Sequence, residues 1–488
     1  MPDGDTGTTG EDAVSTGKQT GGTQGGGRYD LAVVGAGPGG YVGAIRAAQL
    51  GQRVAVIEED RLGGVCLNWG CIPSKALLTG AELVDQLRNH GETFGVVAGE
   101  LRLDYGKVID HSRKAADRLC KGVQSLLKKH AIEVVKGRGR LASATSVAVT
   151  GETETLVEAS NLLLATGSTE WVPPGIDVDG ERVLTSREAL VSKRIPDRLV
   201  VIGAGAVGLE FAYVYAMYGA RVTVIEMAPQ ALPGADPEVA QVVEREFRRN
   251  KIEIRTGTRF EELKVEANGV RVIVRQGDAS EVLEADQVLV AIGRRPLSAD
   301  LGLEATGIAV DAKGFVGVDA YLTTNVPSVR AIGDLVGAPL LAHKASEEGV
   351  AAAESISGIV RSPLDHRKIP ACIYCQPQVA WIGYTEAEAK AKFGEVRVGR
   401  FPFTASGKAV ASAHTAGFAK LIAEPRFGEI VGAHLVGFGA TELIAEISLA
   451  MTLEATTAEI AATCHAHPTL SEAILESALA AEGRSINF

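Results

Sequence analysis

The sequence predicts an α/β protein with two Rossmann-like dinucleotide-binding domains and a C-terminal α+β domain. Three observations predict it. A strand, a glycine turn, a helix, a second strand and a closing acid are written twice. The two copies start 168 residues apart, at Gly35 and Gly203, and in each the acid follows the first glycine by 23 residues. From about Ile369 the texture changes to alternating strand-like segments and then Ala/Glu/Leu-rich helices, which marks a separate domain. The length of 488 residues suits three domains at roughly 150 residues each.

Residues 1–27 hold nine Gly, six Thr and no aromatic. They cannot bury enough apolar surface to offset ordering entropy, so they read as a disordered tail. Order is expected from Tyr29. Tyr29 to Val34 is a short β-type run, Pro38 to Leu50 a helix, and Arg53 to Ile57 a strand that ends at Glu58. The second copy reads Arg198 to Ile202 as strand, Leu209 to Gly219 as helix and Arg221 to Ile225 as strand, ending at Glu226. Between the copies lie a helical stretch after Cys66, an amphipathic helix from about Asp104 to His130, and strands that end at Ala165-Thr166-Gly167-Ser168. Later strands end at Ala291-Ile292-Gly293-Arg294, and a further segment at Ile332-Gly333-Asp334.

Composition narrows the function class. There are 49 Lys and Arg against 60 Asp and Glu, a net charge of −11. That argues against a nucleic-acid binder and against a polybasic membrane-surface protein. The longest apolar run, Leu199 to Ala220, could span a bilayer by length. Glu210 sits in the middle of it and its first half is a glycine turn, so that reading fails. The N-terminus shows no secretory signal and no Arg-rich presequence, which points to the cytoplasm. Six cysteines do not make a disulfide scaffold, so a local pair is more readily catalytic than structural.

The glycine turns are Gly35-Ala36-Gly37-Pro38-Gly39-Gly40 and Gly203-Ala204-Gly205-Ala206-Val207-Gly208. In each, the first glycine permits the turn, the second lets backbone approach a pyrophosphate, and the third lets helix and strand pack closely. The phosphates then sit on free N–H groups at the helix start. Glu58 and Glu226 fall where a carboxylate can accept from a ribose diol. No cation stands among Met227, Ala228, Pro229 and Gln230, so the second site reads as NAD rather than NADP. The first suits NAD or FAD.

Two further groups carry chemistry. Cys66 and Cys71 stand five residues apart in Gly64-Val65-Cys66-Leu67-Asn68-Trp69-Gly70-Cys71-Ile72-Pro73-Ser74-Lys75. A disulfide there would lie beside a bound dinucleotide, the layout needed to pass two electrons between them. A structural disulfide or two buried thiols fit the spacing equally. Near the C-terminus, Pro468 suits the first position of the last helix. Glu472 could then hold one ring nitrogen of His467 and leave the other free as a base. A capped helix with an exposed histidine is the plainer reading, and a metal held by Cys464, His465 and His467 is disfavoured.

Together these blocks resemble the flavoprotein disulfide reductases over about residues 28–488. Within the family the closest likeness is to members that oxidise protein-bound dihydrolipoamide. It rests on the Cys66 to Lys75 block and on His465-Ala466-His467-Pro468-Thr469-Leu470-Ser471-Glu472. The resemblance implies FAD and NAD as cofactors. Gly35, Gly37, Gly40 and Glu58 would hold the ADP half of FAD, and Gly333 and Asp334 its ribityl-phosphate part. Gly203, Gly205, Gly208 and Glu226 would hold NAD. Thr166, Gly167, Ser168 and Gly293 join the cofactor-binding set. Lys75 would sit near the flavin and pair with Glu210. Cys66 would be the thiol facing substrate and Cys71 the thiol facing flavin. His467 and Glu472 would be base and orienter, serving the disulfide of the other subunit of a homodimer.

The implied division is 28–175 as the first part of an FAD-binding domain, 176–297 as an NAD-binding domain, 298–368 as the second part of the FAD domain, and 369–488 as a dimerisation domain. The implied partners are lipoyl domains of 2-oxo acid dehydrogenase complexes or of a glycine cleavage system. Trp69 departs from the smaller apolar residue usual at its position and is not expected to change the chemistry. The chain lacks the C-terminal cysteine pair of mercuric reductases, and Ser74 stands where glutathione-type reductases carry Lys; both favour lipoamide. A relative of the same layout acting on another disulfide or on quinones is the alternative.

Overall fold

The computed structural model describes residues 28–97 and 99–488. The N-terminal tail expected to be disordered lies outside the described residues. The first glycine turn belongs to a sheet whose strands run Glu133–Lys136, Val54–Glu58, Tyr29–Val34, Thr155–Leu164, Ser146–Thr150 and Arg138–Ser143. Its first four strands pair parallel. Much further along the chain, Val329–Ala331 returns and pairs with the Thr155–Leu164 strand. That return delivers Gly333 and Asp334 to the edge of the first unit.

The second turn belongs to a separate sheet in the order Ile252–Arg255, Arg221–Ile225, Arg198–Ile202, Gln287–Val290, Val183–Leu184, parallel throughout. Runs such as Leu-Val-Val-Ile and Val-Leu-Val are buried on both faces, as parallel strands covered by helices must be. The strand Arg294–Pro296 pairs with Ser168–Glu170 and stitches the second unit to the first. The C-terminal portion is an antiparallel sheet, Ala371–Ile373, Val379–Gly383, Ile430–Val436, Phe418–Ala423, Arg397–Pro402. Helices Ala440–Thr452 and Glu472–Ala481 cover it around a core that includes Phe401, Phe403, Leu421, Leu435 and Ile474.

The apolar run Leu199 to Ala220 is a strand, a turn and the helix Ala206–Met217. No helix of the described residues is long and apolar enough to cross a membrane. Two boundaries differ from the sequence reading. The second-copy helix starts at Ala206, so its third glycine, Gly208, lies inside it and not before it. The last helix starts at Glu472 and not at Pro468. Glu472 accepts the Thr469 N–H (2.9 Å) and Thr469 Oγ1 donates to Ala466 O (2.7 Å), which closes a compact turn ahead of the helix.

Candidate active site

Both glycine turns have the same build. Gly35 has φ +101° and Gly203 φ +105°, the left-handed region open to glycine. A Cβ on Gly40 would stand 1.9 Å from Gly35 O, and one on Gly208 2.0 Å from Gly203 O, so the helix can approach the strand only without side chains there. A Cβ on Gly37 or Gly205 would meet nothing within 4 Å. Those glycines open onto space outside the protein surface. They are also the residues that precede helices Pro38–Gln49 and Ala206–Met217, and neither helix has a side-chain cap. The first N–H groups of both helices therefore remain available. Two cradles shaped for a phosphate, each with free donors, fit the two dinucleotides the sequence suggested.

The two acids are fixed alike. Glu58 accepts from Ala36 N (2.7 Å) and Asp60 N (2.8 Å). Glu226 accepts from Ala204 N and Ala228 N, both at 2.8 Å. Each carboxylate thus grips its own glycine turn and keeps acceptor capacity for a diol. Burial pushes the Glu58 carboxyl up, while the Ala36 and Asp60 N–H groups pull it down without fully offsetting burial. Behind the second turn is a cavity of about 660 Å³, lined by Gly203, Gly205, Val207, Glu226, Phe260, Trp171 and Gly293 among others.

Cys66 ends up on the short helix Gly64–Trp69 and Cys71 opens the helix Cys71–Asp85, with Gly70 as the break between them. Both are free thiols. The neighbouring Cys71 and burial push the Cys66 thiol up. Cys66 and the Lys75 ammonium hold the Cys71 thiol down against burial. One turn along, Lys75 Nζ is 3.0 Å from each carboxylate oxygen of Glu210. Glu210 is buried. It also accepts the Tyr374 N–H (3.1 Å), and the Lys75 ammonium lies 4.3 Å from the Tyr374 ring centroid. Sequence reading did not find Tyr374, and no local signal marks it.

Ser168 and Asp334 meet, Ser168 Oγ donating to Asp334 Oδ2. Arg294 Nε donates to Ser168 Oγ (2.7 Å) and its Nη2 to Ser168 O (2.8 Å). Arg294 lines the second cavity, so one guanidinium ties that cavity to Asp334. Its position directly after Gly293 was the signal available. Thr166 Oγ1 donates to Leu297 O (2.8 Å). Gly167 has φ +72° and Gly293 φ +140°, and a Cβ on either would meet nothing within 4 Å. Gly333 has φ +72° and donates its N–H to the buried Glu348 carboxylate (2.7 Å). Trp69 donates its indole N–H to Asp60 (3.0 Å), and the Arg187 guanidinium lies 4.6 Å from its ring centroid.

At the C-terminus His467 Nδ1 is 2.9 Å from Glu472 Oε1. Burial raises the Glu472 carboxyl, but the Thr469 N–H and His467 outweigh it and hold the group low. The His467 side chain is 77% exposed, with Glu472 on one ring nitrogen and the other facing outward. His465 is instead held between Glu446 Oε1 (2.7 Å) and Thr463 O (3.0 Å).

Comparison with known proteins gives the family. Residues 29–349 match the pyridine nucleotide-disulphide oxidoreductase family, and residues 369–478 match the dimerisation domain of that family. A dihydrolipoyl dehydrogenase of Zymomonas mobilis is 44% identical over 464 residues, 94% of this chain and 99% of the relative. One of Mycobacterium leprae is 42% identical over 466 residues, again 94% and 99%. Among solved structures, LpdA of Mycobacterium tuberculosis superposes with a TM-score of 0.86 at 28% identity, covering 92% of this chain and 98% of that one. The HOCl-induced flavoprotein disulfide reductase RclA of Escherichia coli gives 0.83 at 25%, covering 93% and 99%. Two glycine cradles, a pair of thiols and a match over 94% of the chain together place it in the pyridine nucleotide-disulphide oxidoreductase family.

Proposed function

We propose that the chain has dihydrolipoyl dehydrogenase activity: it oxidises protein-bound dihydrolipoamide to lipoamide and reduces NAD⁺ to NADH. The observation that carries this reading is the Cys66–Cys71 pair, set one helical turn from the Lys75–Glu210 bridge that joins the two nucleotide-binding units. FAD belongs in the first cradle, held by Gly35, Gly37, Gly40 and Glu58, with Thr166, Gly167, Ser168, Gly333 and Asp334 around it. NAD belongs in the second, held by Gly203, Gly205, Gly208, Glu226 and Gly293.

The cycle starts with Cys66 and Cys71 joined as a disulfide. His467, held by Glu472, takes the proton from one thiol of dihydrolipoamide. The thiolate attacks Cys66 sulfur, the S–S bond breaks, and Cys71 leaves as thiolate. The second lipoyl thiol then loses its proton and attacks the lipoyl sulfur of the mixed disulfide. Oxidised lipoamide departs and Cys66 takes up a proton. The electron pair now resides on the dithiol, with Cys71 as the thiolate favoured by the Cys66 S–H and by Lys75. FAD, when bound, supplies the redox relay between this dithiol and NAD⁺.

The exposed His467 finds its substrate across a homodimer, on the disulfide of the second subunit. The domains divide at 28–175, 176–297, 298–368 and 369–488. The partners are lipoyl domains of a 2-oxo acid dehydrogenase complex or a glycine cleavage system, in the cytoplasm. The deciding experiment is anaerobic NADH formation from dihydrolipoamide, wild type beside Cys66→Ser. Rapid turnover that vanishes in the variant is expected. No turnover by FAD-loaded wild type would overturn the lipoamide assignment and direct attention to other disulfides or quinones.

A further inference from the structure

Trp69 stands between the two thiols. It ends the short helix Gly64–Trp69, one residue before the break at Gly70. The fold surrounds this partly buried side chain with three separate parts of the chain. Its indole N–H donates to Asp60 Oδ2 (3.0 Å), and Asp60 donates its own N–H to Glu58, the acid of the first cradle (2.8 Å). The Arg187 guanidinium lies 4.6 Å from the ring centroid. Arg187 belongs to helix Ser186–Ala189, just after the Val183–Leu184 edge strand of the second sheet. Arg113, on helix Tyr105–Lys129, lies 5.3 Å from the same ring.

The Arg113 contact gives the ring a second task. Nε, Nη1 and Nη2 of Arg113 are all buried, and none has a hydrogen-bond partner among the described residues. Asp117, one turn along the helix, is engaged by Arg61. A buried cation without hydrogen bonds is costly unless something negative faces it. Indole presents the best aromatic face for that purpose.

We propose that Trp69 is a positioning residue for the Cys66–Cys71 pair. It is pinned to the first unit through Asp60, to the second through Arg187 and to the long helix through Arg113. Held in this way, the loop between the thiols has little freedom left to lose when the disulfide closes. A small apolar residue at 69 would loosen the reduced loop, while the closed disulfide stays constrained, so closure would cost more. The steps of the reaction are unchanged; the balance between dithiol and disulfide moves. This rests on the redox reading of the pair given above.

The test is an anaerobic exchange equilibrium between the FAD-loaded protein and mixtures of reduced and oxidised dithiothreitol. The Cys66–Cys71 bond breaks and the ring disulfide of dithiothreitol forms, with two electrons and two protons passing to the protein. Acid quenching, alkylation and mass spectrometry count the thiols at Cys66 and Cys71. Trp69→Val should shift the exchange constant toward the dithiol by about tenfold, the combined scale of one hydrogen bond and two cation–π contacts. Trp69→Phe keeps the ring face and loses the bond to Asp60, so it should shift by about threefold. Arg187→Gln should shift the constant the same way by about threefold, and Arg187→Lys should leave it near wild type. The Arg187 pair decides the matter even if Trp69→Val fails to fold. A wild-type exchange constant retained in Trp69→Val and Arg187→Gln, whatever their Tm, makes the contacts packing alone and overturns the proposal. A wild type that forms no disulfide at any ratio overturns the redox reading and the proposal with it.

Discussion

Lys75 Nζ stands 3.0 Å from both carboxylate oxygens of Glu210, joining the helix that carries Cys71 to the helix that opens the second nucleotide site. The carboxylate is buried and the ammonium is one-third exposed. Glu210→Gln should therefore cost about 1–3 kcal/mol, less than the loss expected for a fully buried pair. Chemical denaturation of the FAD-loaded protein checks it, and an unchanged midpoint would count against the bridge as a structural tie.

Cys66 and the Lys75 ammonium hold the Cys71 thiol below its ordinary range in the reduced protein, against burial. Its thiolate therefore persists to lower pH than that of a free thiol, which turns over at about 8.5. Ultraviolet titration of the reduced protein, with Cys71→Ser as the blank, should show a midpoint below that of a free thiol. Lys75→Met should move it upward, because the cation that favours the thiolate is gone.

His467→Gln should lower kcat/KM for dihydrolipoamide by about 10²–10⁴, the usual range for a general base. Glu472→Gln should cost less, since the base remains and only its orientation suffers. Equal rates for wild type and His467→Gln would remove histidine from the mechanism.

Gly40→Ala should abolish FAD retention. Its Cβ would stand 1.9 Å from Gly35 O, in a turn with no slack. Flavin absorbance per protein after gel filtration reads this directly, and full occupancy in the variant would mean the turn can open.

Lys420 is 2% exposed and bonds Asp236 (3.1 Å), Glu238 (2.8 Å) and Glu386 (2.6 Å). It pins the start of helix Pro237–Arg249 to the C-terminal sheet. Lys420→Met strands the buried Asp236 carboxylate and should cost about 3–5 kcal/mol. A fall in Tm is the readout; a melting curve that overlays wild type would show that the three acids find other partners.

Much of the site was legible because it is local. Each glycine turn, with its acid 23 residues on, is one strand–helix–strand unit, and its geometry is set within that unit. The thiol pair and the His467–Glu472 bond span five residues each. The start of the last helix was misplaced because Thr469 and Glu472 spend their hydrogen bonds on a turn that sequence spacing does not show. The second-copy helix was begun late because a third glycine reads as turn, although it packs inside the helix.

The sequence determined the two nucleotide-binding units, the acids that grip them and the thiols beside the first, since backbone freedom and short spacing act over one local unit. Tertiary structure decided what meets across long separations. Glu210 reaches Lys75 over 135 residues and Tyr374 reaches Glu210 over 164. Arg294 reaches Ser168 over 126. Thr258 donates its N–H to the Glu226 carbonyl because a separate sheet begins there. No local pattern encodes such meetings, because they depend on how whole sheets pack. A buried carboxylate gains its meaning only from what that packing brings near it.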